Sequence, residues 1–272
     1  MLNANNSIAN SANSTVNKTV GNPSNYPNTF KNSVGMEFVK IPAGSGLMGS
    51  LPTEWQRDEN ESPQHQVNIG YEFYLGKYEV TQDEYEKVTG TNPSTFKNCP
   101  RCPVETVSWN DAIDFIAKLN AKNDGYIYRL PSETEWEYAA RAKSTTPFGI
   151  GDGNIVSSDQ ANFDGRHPFK DSPKGKYLER TAPVGNYQPN TFGLYDMHGN
   201  VWEWCEDIYQ NNYNGLSTDG SANINLGNSN LRLLRGGAWV NIGNGVRSAV
   251  RVGLPPANRL DFNGFRVAIT LK

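Results

Sequence analysis

No apolar run in this chain of 272 residues approaches the roughly 18 residues that a membrane-spanning helix needs, so no membrane insertion is expected. Nor is there a long block of Lys or Arg, and the formal charge is −3, which argues against a nucleic-acid partner. The first residues lack the apolar core of a secretory signal. Histidine and cysteine are scarce, three of each. His65, His167 and His198 stand singly. Cys99-Pro-Arg-Cys102 has the spacing of a zinc half-site or a redox pair, but no second CxxC or HxxxH supplies the remaining ligands. That leaves a small loop disulfide or two free thiols. A thioredoxin-like role lacks its βαβ context. The last absence is local: from Val240 to Asn263 the chain contains no Lys, Glu, Gln, Met or Trp.

What is present suffices for a substantial core without crosslinks: 13 Tyr, 11 Phe and 6 Trp. Met1 to Asn32 is instead rich in Asn, Ser and Thr. It reads as a flexible tail, or an arm that orders on a partner, because it cannot bury enough surface to offset its ordering entropy. Residues 33–272 read as one domain. Asn13 and Asn17 fit the glycosylation sequon. Thr81-Gln-Asp-Glu84 is a capping box predicting a helix to about Val88, ended by Thr89-Gly90. Ser108 caps a second helix with Ala112, Phe115, Ile116 and Leu119 on one face. Ser132-Glu-Thr-Glu135 opens a third. Strands are expected at Glu37–Ile41, Gln66–Ile69, Tyr71–Tyr78 and Phe265–Thr270. Between these, 144–190 and 209–230 carry Gly, Pro, Asn and Ser without period. The fold class is α+β with much irregular structure.

The C-terminal stretch from about 235 to 267 has a frame and a filling. Arg235, Gly236, Gly237, Trp239, Arg247, Arg251, Arg259, Gly264, Phe265 and Arg266 form the frame. Gly relieves tight backbone, Trp supplies buried area and Arg supplies forked donors. The arginines are expected to bond carboxylates and carbonyls and so hold the irregular segment. The positions between them look interchangeable. This pattern resembles the variable proteins of diversity-generating retroelements. In those systems template adenines, mostly in AAC codons, are randomised, and codons ending in C cannot encode the five residue types missing here. Reverting the filling to Asn gives Asn triplets between Arg and Gly anchors, as such a template would encode.

The rest of the chain resembles a second family. GMEFVKIPAGSGLMGS (Gly35 to Ser50), YLGKYEVTQDEYEKV, PVETVSWNDAIDFI, YRLPSETEWEYAARA and NTFGLYDMHGNVWEWCED follow in the order found in formylglycine-generating enzymes, the sulfatase-modifying factors. The resemblance implies an elaborated C-type lectin fold over roughly residues 33 to 272. The enzymes of that family hold copper on two cysteines shortly after the RGG(S/A)-aromatic element. Here that element is Arg235 to Trp239, and Val240 to Arg251 contain no cysteine. Asn241 and Val246 cannot replace thiolates, so copper and the oxidase activity are not expected. The resemblance also implies a Ca²⁺ site built from Asp196, the carbonyls of Gly199 and Val201, and Glu203, a hard-oxygen set that suits the ion. A second such site would begin near Asn162 and Phe163. Trp202 and Trp204 alternate with Glu203 and read as core aromatics.

Together these readings imply a non-enzymatic protein that binds an unknown protein or surface ligand. The expected contact residues are Val240, Asn241, Ile242, Gly243, Asn244, Val250, Val252, Leu254, Leu260, Asp261 and Phe262. A rigid frame with exchangeable exposed side chains has the physics of a paratope. The contact side chains should then share one exposed face. The runner-up is a sulfatase-modifying oxidoreductase or accessory using unusual residues. A third reading is a structural or adhesion module. Location is undetermined, and display on a virion or cell surface is compatible with the sequence.

Overall fold

A computed structural model describes residues 27–225 and 230–271. Asn13 and Asn17, with most of the expected tail, lie outside the described residues. The end of that tail is structured: Thr29–Lys31 forms β1, and the Asn32 carboxamide accepts the amides of Val34 and Met36.

Three capping boxes start the three helices: the two expected at Thr81 and Ser132, and a third at Ser108, where the sequence indicated a cap. In α1 (Gln82–Thr89) the Thr81 hydroxyl accepts the Glu84 amide, the Glu84 carboxylate accepts the Thr81 amide, and Gly90 closes the helix in a left-handed conformation. α2 (Trp109–Asn120) begins at Ser108 with Asp111 as the reciprocal partner and buries Ala112, Phe115, Ile116 and Leu119. α3 (Glu133–Arg141) begins at Ser132 with Glu135, and every one of its residues is buried.

Strands are shorter and more numerous than the sequence suggested. β2 (Glu37–Ile41), β5 (Phe73–Gly76), β6 (Ile127–Arg129) and β11 (Ala268–Thr270) join β1 in an antiparallel five-stranded sheet ordered β1-β2-β5-β11-β6. The last strand therefore sits inside this sheet, between β5 and β6, and closes the domain. β3 (Gly44–Met48) and β4 (His65–Ile69) form a hairpin. β7 (Trp202–Ile208), β8 (Arg232–Arg235), β9 (Arg251–Leu254) and the two-residue β10 (Asn263–Gly264) form a second sheet ordered β10-β7-β8-β9. The expected strands 71–78 and 265–270 contract to β5 and β11, although just beyond these ladders Lys77 still donates to the Glu37 carbonyl and Gly76 to the Val267 carbonyl. Trp202 and Trp204 are core residues, and Trp204 donates its indole N–H to the Val107 carbonyl. One large apolar cluster joins α1, α2 and the second sheet, and another surrounds Trp136. Cys99 and Cys102 form a disulfide, and Cys205 is a free, buried thiol.

Candidate functional site

Residues 235–267 run along the second sheet, and the frame read from the sequence is what fixes them. Gly236 and Gly237 both have positive φ, +96° and +74°. A Cβ on Gly237 would lie 2.3 Å from the Gly245 carbonyl oxygen, so only glycine admits this turn. Arg235 is fully buried and pairs with Glu137. Arg247 bonds Glu61 at 2.7 and 2.8 Å and Glu54 at 2.6 Å. Arg251 grips Glu133 through two bonds of 2.7 Å and donates to the carbonyls of Asn60 and Gln210. Arg266 grips Glu203 through two bonds of 2.6 Å and reaches the carbonyls of Gly76 and Tyr195. Arg259 pairs with Asp111 at the surface. Bidentate guanidinium–carboxylate pairs of this kind fix geometry as well as charge. Trp239 is 8% exposed, stacks near Tyr177, meets the ring of Phe96 edge-on, and donates to the Asp261 carbonyl at 3.1 Å. That last bond ties the first filling run to the third.

The filling itself divides by environment. Val240 and Ile242 are 39% and 47% exposed. Val252, Leu254, Leu260, Asp261 and Phe262 are half-buried, and Val252, Leu254 and Phe262 lean on the large core cluster. Val250 and Gly243 correct the expectation: both are buried. Val250 belongs to the core cluster, and a Cβ on Gly243 would strike the Phe169 amide nitrogen at 2.3 Å. Two expected polar contacts are also engaged internally. The Asn241 side-chain oxygen accepts the Ala238 amide, closing the turn after the glycines. Asn244 donates to the Gln56 carbonyl and accepts from Arg247. These asparagines shape the segment rather than project from it.

Ile242 and Asn244 border a cavity of about 370 Å³ that the sequence did not reveal. Its other walls come from far along the chain: Trp55 and Gln56, and the loop from Arg166 to Lys174. The one available signal was Trp55, an aromatic isolated in the polar run Pro52 to Pro63. A larger cavity, about 530 Å³, lies between β3 and the end of α3, but none of the C-terminal candidates line it.

The residues that the resemblance implies as calcium ligands have these partners within the protein. Both Glu203 oxygens are taken by Arg266, and one also accepts the Trp136 indole N–H at 2.6 Å. The Asp196 carboxylate accepts the Gly185 amide, and burial raises its pKa to about 6. Gly199 and Val201 contribute their amides to Gly236 and Glu79. No group of three or more acidic, His or Cys residues suited to a metal occurs among the described residues. Glu203 thus has a buried guanidinium as its partner within the protein. Asn162, at the start of the second implied site, donates its side-chain NH2 to the Arg180 carbonyl and the Asn200 side-chain oxygen, and its own Oδ1 is buried without a partner among the described residues. Nearby, His198 is held neutral. Burial pushes its pKa down to about 4, Nε2 accepts the Gly149 amide, and Nδ1 therefore donates to the Val246 carbonyl. Burial likewise pushes the Cys205 thiol well above its ordinary range, so it is not a ready thiolate.

Comparison with known proteins places this geometry. The structure of PvdO from Pseudomonas aeruginosa superposes with a TM-score of 0.77 at 37% identity, covering 89% of this chain and 98% of that one. Variable protein 1 of Treponema denticola superposes with a TM-score of 0.73 over the same shares, at 24% identity, a likeness of fold. The formylglycine-generating enzyme of Streptomyces coelicolor is 36% identical over 182 residues, 62% of this chain, which spans 53% of that enzyme's length. The architecture is the C-type lectin fold of the formylglycine-generating-enzyme type. Residues 24–271 match the sulfatase-modifying factor enzyme 1-like domain, and the chain belongs to that family.

Proposed function

We propose that this protein is a non-enzymatic binding protein, and that its contact surface is the filling of the 235–267 segment, diversified by a retroelement. One observation carries the reading. The frame side chains Arg235, Arg247, Arg251 and Arg266 are buried and paired, whereas Val240 and Ile242 are exposed and bear no structural bond through their side chains. Change at the exposed positions leaves the fold intact, and change at the frame does not. The restricted residue types between Val240 and Asn263 give the same division at the level of codons. The contact set is Val240, Ile242, Val252, Leu254, Leu260, Asp261 and Phe262, supported from beneath by Asn241, Asn244 and Trp239. Positions 241 and 246 carry Asn and Val, and the one cysteine outside the disulfide is buried, which supports a binding role over oxidation. A protein or surface ligand met at a virion or cell surface suits such a paratope. No helix among the described residues is long and apolar enough to cross a membrane.

The test is in the gene. A near-copy of the segment's coding sequence rich in Asn codons, with a reverse transcriptase beside it, is the expected finding. Codons at the filling positions that do not end in a pyrimidine, with no such copy, would sink the diversification reading.

A further inference from the structure

The cavity beside Ile242 is built by three distant pieces of chain locked together. Gln56 has a positive φ of +51°, and its carbonyl accepts from both Asn244, at 3.0 Å, and Arg247, at 3.3 Å. Trp55 packs its ring edge-on to Phe169, with centroids 5.2 Å apart. The Gly243 amide donates to the His167 carbonyl at 2.9 Å, and its missing side chain lets the segment lie directly on Pro168 and Phe169. The cavity is therefore preformed, with Trp55 and Ile242 as exposed apolar walls.

Its charge has one sign. Lys170 and Lys174 line it, both exposed, and neither forms an ion pair among the described residues. Arg166 also lines it but is already neutralised by Asp164, through two bonds of 2.8 Å, and lies over the Tyr177 ring. No carboxylate faces the cavity. Its free neutral polar groups are few, the exposed Gln56 side chain and the His167 ring. Asn244 is spent on the scaffold, and Ser172 is buried with its hydroxyl accepting the Val156 amide. Beside these stand an indole, an aliphatic side chain and two ammonium groups, that of Lys170 lying 5.4 Å from the Phe169 ring centroid.

We infer that this cavity receives an acidic segment of a protein ligand, an aliphatic or aromatic side chain entering between Trp55 and Ile242 while a neighbouring carboxylate meets Lys170 and Lys174. The inference rests on the binding reading above and names the chemistry of its ligand. It also divides labour: Ile242, in the filling, selects the apolar group, and the scaffold supplies a constant requirement for negative charge. Exposed lysines steer an acidic partner and lose that influence as salt screens them.

A displayed library of random dodecapeptides, selected on the immobilised full chain, tests this. Enriched peptides should carry Asp or Glu beside Leu, Ile or an aromatic residue. Synthetic copies should lose about tenfold or more in affinity against the double variant Lys170→Glu, Lys174→Glu, whose melting temperature should stay within a degree or two because both lysines are exposed, and similarly against Trp55→Phe, which keeps a ring on Phe169. Peptides without an acidic excess, or affinities unmoved by charge reversal, would overturn the inference. So would binding confined to sialylated or sulfated sugars on a glycan array. Peptides sensitive to Val240→Asp and Ile242→Asp but not to the lysines would end the inference and leave the binding reading standing. Insensitivity to Val240 and Ile242 would end the binding reading, and a library yielding no binder would overturn both.

Discussion

At Trp239 and Ile242, three residues apart, the segment shows its two kinds of position. Trp239 is buried against Phe96 and Tyr177, so Trp239→Ala should cost about 3–5 kcal/mol. Ile242 is exposed, so Ile242→Ser and Val240→Ser should each change stability by less than about 0.5 kcal/mol. Phe262 leans on the core without being enclosed, and Phe262→Ser should fall between, roughly 1–2 kcal/mol. Arg251→Ala would leave Glu133 buried without its main partner, at about 3–5 kcal/mol. Denaturant melts of the five variants measure this order directly. Equal destabilisation by Ile242→Ser and Trp239→Ala would make the segment ordinary core and remove the physical basis of a paratope. The sequence showed which residue types do structural work, because Trp, Gly and forked Arg have few other uses at that density. It could not show that Asn241 and Asn244 belong to the same frame. Asparagine serves equally as an exposed contact and as a turn-closing acceptor, and only the positions of Ala238 and Gln56 decide.

Among elements, the helices were legible and most strands were not. A capping box is a local signal spanning four residues; the two boxes read at Thr81 and Ser132 formed, and the cap read at Ser108 proved to be a third, with Asp111 as its partner. β1, β3, β6, β8, β9 and β10 are two to five residues long, and their pairings run across the whole chain. A pattern that short carries no usable period. β8 and β9 are defined by partners distant in sequence, β8 lying between β7 and β9 with Arg235 opposite both Glu203 and Arg251. The same blindness to distant partners affected β7. Its Glu203 reads as a metal ligand within its own motif, and the motif alone could not show that Arg266, 63 residues away, bonds both of its oxygens. A consequence can be measured. Arg266→Met should destabilise by about 3–5 kcal/mol, because Glu203 and its acidic neighbours lose their internal cation, and adding Glu203→Gln should recover a substantial part of that loss. Melts of the parent with chelator and with millimolar Ca²⁺ test the calcium site implied at Asp196, Gly199, Val201 and Glu203: a rise with calcium would support it, and an unchanged melting temperature would count against it.

For the molecule as a whole, stability depends on how the second sheet is joined to α3 and the loop at Asn223, and Asp207 makes that joint. It sits on β7, 1% exposed. One oxygen accepts the Glu133 amide at the start of α3, and the other accepts the amide and side chain of Asn223. Those donors favour the carboxylate, but burial and the nearby charge of Glu133 outweigh them and raise its pKa to about 7. In the unfolded chain it would titrate near the ordinary Asp value of about 3.9. Between those two values the folded state keeps a proton that the unfolded state has released. The contribution of this group is therefore complete below about pH 4 and lost as pH rises through about 7. Asp207→Asn, which resembles the protonated acid in shape, abolishes the titration. Measured against the parent at the same pH, the variant should gain stability steadily from about pH 4 to pH 7 and level off above. Melts of the two proteins across that range would check it. A parallel pair of pH profiles would mean that Asp207 stays ionised throughout, with Asn223 and the α3 amide holding its charge against burial.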